Sequence, residues 1–264
     1  MDVFVCTVLM GDYDFLLPVH KEEYNKSWKY ICYTDKDKSI KGWEFRKLPE
    51  NIRDLSVFLQ TRYIKLFCQS IINLPGIYVY IDANISLGKD FGTLYEQFVK
   101  SEKYLGLFKH PDRVNVFDEF NCVLKMNKLK NQDDVARKQI ESYSLDKKFA
   151  GVDILFENNI SFRKYYSNDI DELMNTWWLE LKVWPTRDQL SFPYILFKSN
   201  VEYFMLNLNI RKPNDYVFIH GHREKNFRDI HAYIHSRGDK ILFFRIALIL
   251  WQPIHNVLIK VLQK

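Results

Sequence analysis

Residues 77–84 read Ile-Tyr-Val-Tyr-Ile-Asp-Ala-Asn, a continuous apolar run that breaks onto an acid, a small residue and a second oxygen-bearing side chain. The run predicts a strand, and similar runs bounded by turn residues predict others at Val3 to Leu9, Tyr30 to Thr34, Tyr104 to Phe108 and Val152 to Phe156. Between them Leu55 to Ile72 carries Leu55, Phe58, Leu59, Tyr63, Phe67, Ser70 and Ile71 at helical spacing, with Arg62 and Lys65 on a neighbouring face. Strand and helix alternate, so the expected class is α/β, a mostly parallel sheet flanked by helices. Further helical patterns cover Asp169 to Lys182 and Arg187 to Lys198.

In such a sheet ligands bind beyond the carboxyl ends of the strands, so the residues that follow each strand are the ones to read for chemistry. Here they are polar: Met10-Gly11-Asp12-Tyr13-Asp14, Thr34-Asp35 and Asp82-Ala83-Asn84. On an extended chain Asp82 and Asn84 point to the same side, where their oxygens could hold a hard divalent cation bridging a diphosphate. Asp82 serves equally well as a cap for the following loop. Asp35 and Asp12 would add acceptors for ribose hydroxyls or base amides, Gly11 and Tyr13 share their rim, and Arg62 with Lys65 would add cations toward phosphates. Each taken singly reads as a solvated charge; the argument is their common rim.

A second cluster runs from Trp177-Trp178 through Trp184-Pro185-Thr186-Arg187-Asp188-Gln189-Leu190-Ser191-Phe192. Thr186 and Gln189 have capping-box spacing for a helix start. That leaves Asp188 beside Arg187 among aromatic rings, suited to act as general base for a hydroxyl or to hold a sugar by its hydroxyls. Trp178 and Trp184 are candidate faces for an acceptor sugar, with His110, Arg113 and Glu157 as polar contacts near Glu119, Asn158, Asn159 and Arg163. After the run Tyr216 to Ile219, His220 and His222 could complete a metal site as neutral imidazoles, although surface or core histidines read the same way.

The 264 residues are 47% hydrophobic and 16% aromatic, which excludes a disordered chain, and a net charge of +5 without a long basic run argues against a dedicated nucleic-acid binder. Cys6, Cys32, Cys68 and Cys122 lie apart, unlike zinc ligands or a disulfide framework, and read as reduced packing residues of a cytoplasmic protein. The run Val3 to Leu9 is too short for a signal peptide and lacks a basic leader. Ile241 to Trp251 is too short to span a bilayer, and Arg245, Gln252, Asn256, Lys260 and Gln263 form one polar stripe. A helix lying on a membrane surface, or packed on the domain, follows.

The ordered series Val8 to Asp14, Tyr33-Thr34-Asp35, Tyr80 to Leu87, His110-Pro111-Asp112-Arg113, Glu157 to Arg163 and Thr186 to Phe192 resembles the glycosyltransferase-like family once catalogued as DUF616. Its plant members are linked to pectin and mucilage, and its bacterial members look like surface-polysaccharide enzymes. The resemblance implies a GT-A-like fold, a nucleotide-sugar donor near the first, second and fourth strands, and a role for Arg187-Asp188-Gln189; on the polar rim Gly11/Asp35/Asp82 the expected donor is a UDP-sugar. The metal motif of GT-A enzymes is Asp-x-Asp, whereas Asp82-Ala83-Asn84 replaces one acid by an amide, which weakens the case for manganese or magnesium. The expected organisation is one domain over 1–238, a nucleotide-binding half at 1–110 and an acceptor half at 111–238, with a basic tail at 239–264. The expected partners are a nucleotide sugar, a glycan or lipid-linked glycan, and a membrane surface reached by the tail on the cytoplasmic side. The rival readings are a metal-dependent hydrolase or phosphotransferase, and a carbohydrate-binding scaffold.

Overall fold

The computed structural model describes residues 1–220, apart from residues 12, 15, 38, 130, 166, 185, 186 and 200, together with residues 250 and 251. Asp12, Thr186, His222 and nearly all of the 239–264 tail therefore lie outside the described residues. Among the described residues no helix is long and apolar enough to cross a membrane.

The first half supplies β1 (Val3–Leu9), β2 (Lys29–Thr34), β3 (Glu44–Lys47), α1 (Val57–Ile72), β4 (Ile77–Ile81), β5 (Ile85–Leu87), α2 (Phe91–Lys100) and β6 (Leu105–Lys109). After these come α3 (Val116–Lys125), α4 (Asp133–Ser144), α5 (Lys147–Ala150), β7 (Phe156–Lys164), α6 (Asn168–Val183), α7 (Asp188–Ser199), β8 (Tyr203–Leu206) and β9 (Val217–Ile219). Seven strands form one sheet in the order β3-β2-β1-β4-β7-β6-β8. All its pairings are parallel except those of β7, which runs antiparallel to both β4 and β6. β5 and β9 make a small antiparallel pair. The architecture is the expected α/β class, a mostly parallel sheet flanked by helices.

Strand alternation explains the layers. Phe4, Cys6, Ile31, Tyr33 and Tyr78 turn to one face and pack against Ile64, Cys68 and Ile72 of α1. Val3, Val5, Ile77 and Val79 turn to the other, against Phe91, Leu94 and Phe98 of α2. At the far side of the sheet, Leu105, Leu107 and Phe156 are covered by Leu173, Met174, Trp177 and Leu181 of α6 and by Phe192 and Ile195 of α7. Helix α1 begins at Ser56, whose Oγ accepts the Leu59 N–H, and ends on Asn73 in the left-handed conformation. Cys6, Cys32 and Cys68 are buried free thiols and Cys122 is half-buried.

Three expectations need correction. The strand predicted at Val152 to Phe156 begins only at Phe156 and runs on to Lys164. Its polar residues hid it: Arg163 is buried because its guanidinium donates to the carbonyls of Leu66 and Lys65, at 2.6 Å each, in the middle of α1. Strand β3 was missed because Glu44-Phe45-Arg46-Lys47 is a short, charged edge strand, the pattern that guards a sheet edge. Finally, Asp82-Ala83-Asn84 is not extended: Ile85 N–H bonds back to the Asp82 carbonyl at 3.0 Å, closing a turn between β4 and β5.

Candidate active site

An open cleft of about 870 Å³ lies beyond the carboxyl ends of β1 and β4. Because β7 is antiparallel, its first residues rather than its last reach the same place, and Glu157, Asn158 and Asn159 line the cleft. Arg62 and Lys65, three residues apart on α1, form another wall, and Arg187, Asp188 and Gln189 at the start of α7 form a third.

The walls meet in a charged cluster. Lys65 Nζ lies 2.6 Å from Asp188 Oδ2 and 3.8 Å from Asp82 Oδ1, and sits 5.3 Å from the centroid of the Tyr80 ring. Arg62 Nη2 lies 3.5 Å from Asp188 Oδ1, its guanidinium over the Phe58 ring. Tyr80 OH donates to Asp82 Oδ1 at 3.0 Å. Asp188 occupies the first turn of α7, where the helix dipole favours an anion. Burial alone would raise its carboxyl, but Arg62 and Lys65 outweigh burial and hold it well below the usual carboxylate range. Asp82 goes the other way: desolvation at the cleft floor, with the charge of Asp188, raises it against the pull of Lys65. Its side chain keeps 39% of its surface exposed, so water tempers that rise.

A second cluster flanks the first. The buried Glu119 pairs with Arg113 at 2.8 Å and Arg187 at 3.3 Å, while the buried Glu157 pairs with Arg211. His110 Nδ1 accepts the N–H groups of Asp112 and Arg113, at 3.1 Å each, and Arg211 Nη2 lies 3.0 Å from its Nε2. Burial, with Arg113, Arg211 and Arg187 nearby, depresses His110 to about 3, so it is a neutral imidazole at any working pH.

The structure brings together Arg62, Lys65, Asp82, Asn84, Glu157, Arg187, Asp188 and Gln189, with Tyr13 on the same cleft. His110 and Arg113 stand behind Glu157 and Arg187. Gly11, at φ +56°, donates its N–H to Asp35 Oδ1 at 2.9 Å, so Asp35 holds the turn after β1. Trp178 packs on Tyr63 and Phe67, away from the cleft, and the half-buried Trp184 closes α6; neither lines the cleft. Helix α7 starts at Asp188, Gln189 bonds the Phe156 carbonyl and Arg187, and the capping box expected with Thr186 lies outside the described residues.

His220 N–H donates to the Asn84 carbonyl at 2.7 Å, Asn84 Nδ2 donates to the His220 carbonyl at 2.9 Å, and His220 Nε2 is 2.9 Å from Ser86 Oγ. Asp82 and Asn84 line the cleft together, a carboxylate and an amide whose oxygens suit a hard divalent cation, whereas the His220 ring is taken up by Ser86 and does not line the cleft. Among the described residues no three His, Cys, Asp or Glu gather as metal ligands.

Arg211 and Tyr80 escaped the reading of the sequence as site residues. Arg211 sits in a polar loop between β8 and β9 with no local signature, whereas Tyr80 follows from alternation along β4, two residues before Asp82.

Residues 62–219, more than half of the chain, match the TOD1/MUCI70 glycosyltransferase-like domain. The chain belongs to that family. The TOD1/MUCI70 stretch opens at Arg62 and closes at Ile219, so it contains both charged clusters, and membership makes the chain a glycosyltransferase. Similar solved structures include mouse xyloside xylosyltransferase 1 in its apo form, at 10% identity over 78% of this chain and 85% of that one, TM-score 0.48. The S. cerevisiae mannosyltransferase Ktr4p in complex with GDP is 12% identical over 77% and 69%, TM-score 0.41. Core-mannan synthase A from Aspergillus fumigatus in its Mn/GDP form is 11% identical over 74% and 69%, TM-score 0.40. No curated protein sequence matches the chain.

Proposed function

We propose that this glycosyltransferase takes a sugar from a nucleotide sugar, of UDP type, and transfers it to a hydroxyl of a glycan or lipid-linked glycan in surface-polysaccharide synthesis. The observation that carries the reading is the pair Arg62 and Lys65 on one helix, held by Asp188 and Asp82 on the wall of an open cleft. A departing diphosphate needs preorganised positive charge, and these two cations supply it without reorganisation.

The electrostatics favour one of the two roles open to Asp188. A carboxylate held far down by two cations is a poor proton acceptor, so Asp188 anchors donor-sugar hydroxyls and orients Lys65. A divalent cation held by Asp82 and Asn84 would add charge opposite the diphosphate. Glu157, Arg211 and Arg187 border the acceptor side of the cleft.

Calorimetric titration with UDP, GDP and CMP, with and without manganese, tests the reading. Saturable binding of one nucleotide, tightened by manganese and weakened in Asp82→Ala, is the expected result. A folded protein that binds none of them overturns it.

A further inference from the structure

Behind Lys65 lies a void of about 10 Å³, bounded by Lys65, Asn158, Ser161, Arg163, Trp177 and Phe192. Lys65 and Asn158 also line the cleft, so these two side chains form the partition between cleft and void. Asn158 is 5% exposed, and neither its Oδ1 nor its Nδ2 has a hydrogen-bond partner. Arg163 directs its two terminal nitrogens to carbonyls of α1, and its buried Nε is left without one. A buried amide with both ends unpaired is a costly arrangement that native proteins rarely keep without a ligand or water to satisfy it.

The backbone shows how Asn158 comes to be there. Leu107 pairs with Ser161 and the adjacent Phe108 pairs with Glu157, so β7 bulges over residues 158–160. Below the bulge Phe156 packs on the α6–α7 side of the sheet, and above it Ile160 and Phe162 pack on the α2 side. The bulge switches the alternation and turns Asn158 toward the same face as Ser161 and Arg163, behind Lys65. Bulges of this kind re-aim side chains next to active sites.

We propose that Asn158 and Arg163 Nε form a socket for a single hydroxyl group of the donor sugar, and so set which sugar is transferred. The socket has the donors and the acceptor to satisfy one hydroxylic oxygen, its volume is about that of one such oxygen, and two of the residues that border it, Lys65 and Asn158, also line the cleft. The inference rests on the nucleotide-sugar reading. The same chemistry is met by a permanently fixed water, and the experiment separates the two sources.

UDP, UDP-glucose and its 2-, 3- and 4-deoxy analogues are titrated into wild type, Asn158→Leu and Asn158→Ala, and the ligand-free proteins are melted. One deoxy analogue should bind wild type about 10²-fold or more weaker than UDP-glucose, because a site built to bond a hydroxyl rejects its absence strongly. Asn158→Leu should bind that analogue and UDP-glucose alike, hold UDP as wild type does, and melt about 2–4 °C higher once the unpaired amide is gone. Variants that keep the wild-type discrimination, or an Asn158→Leu that melts lower, show a fixed water in the socket and overturn the proposal. Wild type that discriminates against none of the analogues overturns it too. Failure of UDP itself to bind wild type overturns the UDP-type donor, and with it the socket argued for that donor's sugar.

Discussion

The two charged clusters on the cleft use the same residue types and do opposite things with them. Around Glu119 and Glu157, each buried carboxylate is clasped by guanidiniums, and His110 is locked between backbone N–H groups and Arg211. Around Asp188, two cations reach from a single helix to carboxylates on two other elements, and one of those carboxylates, Asp82, stays open to the cleft. The first arrangement is closed and braces α3, α7 and the loop carrying Arg211. The second is unfinished and leaves charge facing a ligand. Neighbouring environments that push two carboxyls apart, Asp188 down and Asp82 up, mark a working site rather than a brace.

The sharpest way to break the comparison is Asp188→Asn. Transfer should fall by about 10³-fold or more, on the scale of losing a preorganised electrostatic contact. Lys65 keeps only its longer contact to Asp82, and the loss of its close buried partner should cost about 3 kcal/mol of stability, read by urea unfolding. A variant that transfers normally would mean that Asp188 belongs with the braces. Next comes Lys65→Met, in which nucleotide diphosphate affinity should drop about tenfold and its dependence on salt should flatten. Unchanged affinity would place the diphosphate elsewhere in the cleft.

Glu119→Gln should show the reverse pattern: a lower melting temperature, because Arg113 and Arg187 lose a buried partner, with nucleotide affinity preserved. A loss of affinity without a loss of stability would move this cluster into the binding machinery.

The smallest effect concerns pH. His110 titrates near 6.5 in the unfolded chain and near 3 when folded, so between those values only the unfolded chain takes up the proton. Its contribution is therefore complete above about pH 6.5 and is lost on acidification, by at most about 1.4 kcal/mol per pH unit. Asp82, raised in the folded state, acts in the opposite sense above the ordinary carboxylate range, and Asp188 contributes stability that disappears only below it. His110→Gln should flatten the stability profile between pH 4 and 6, whereas an unchanged slope would show that the imidazole accepts its proton in place.

The sequence exposed the parts of this molecule that follow from local rules. Apolar runs announced β1, β2, β4 and β6, helical spacing announced α1, α6 and α7, and the residues after β4 and before α7 announced Asp82 and Asp188. What escaped depends on contacts distant in the chain. Arg163 reads as a surface charge until α1 offers it two carbonyls, and Asn158 gains meaning only from a bulge in β7. Trp178 looked like a sugar platform because aromatic rings in a core and in a binding site read alike from sequence.

Arg163 also has a mechanical consequence. By bonding the carbonyls of Lys65 and Leu66 from below, it bolts the middle of α1 to the sheet, so the wall that carries Arg62 and Lys65 cannot swing toward a ligand. That wall is therefore a fixed reference for the cleft: whatever binds there meets Arg62 and Lys65 where the sheet holds them.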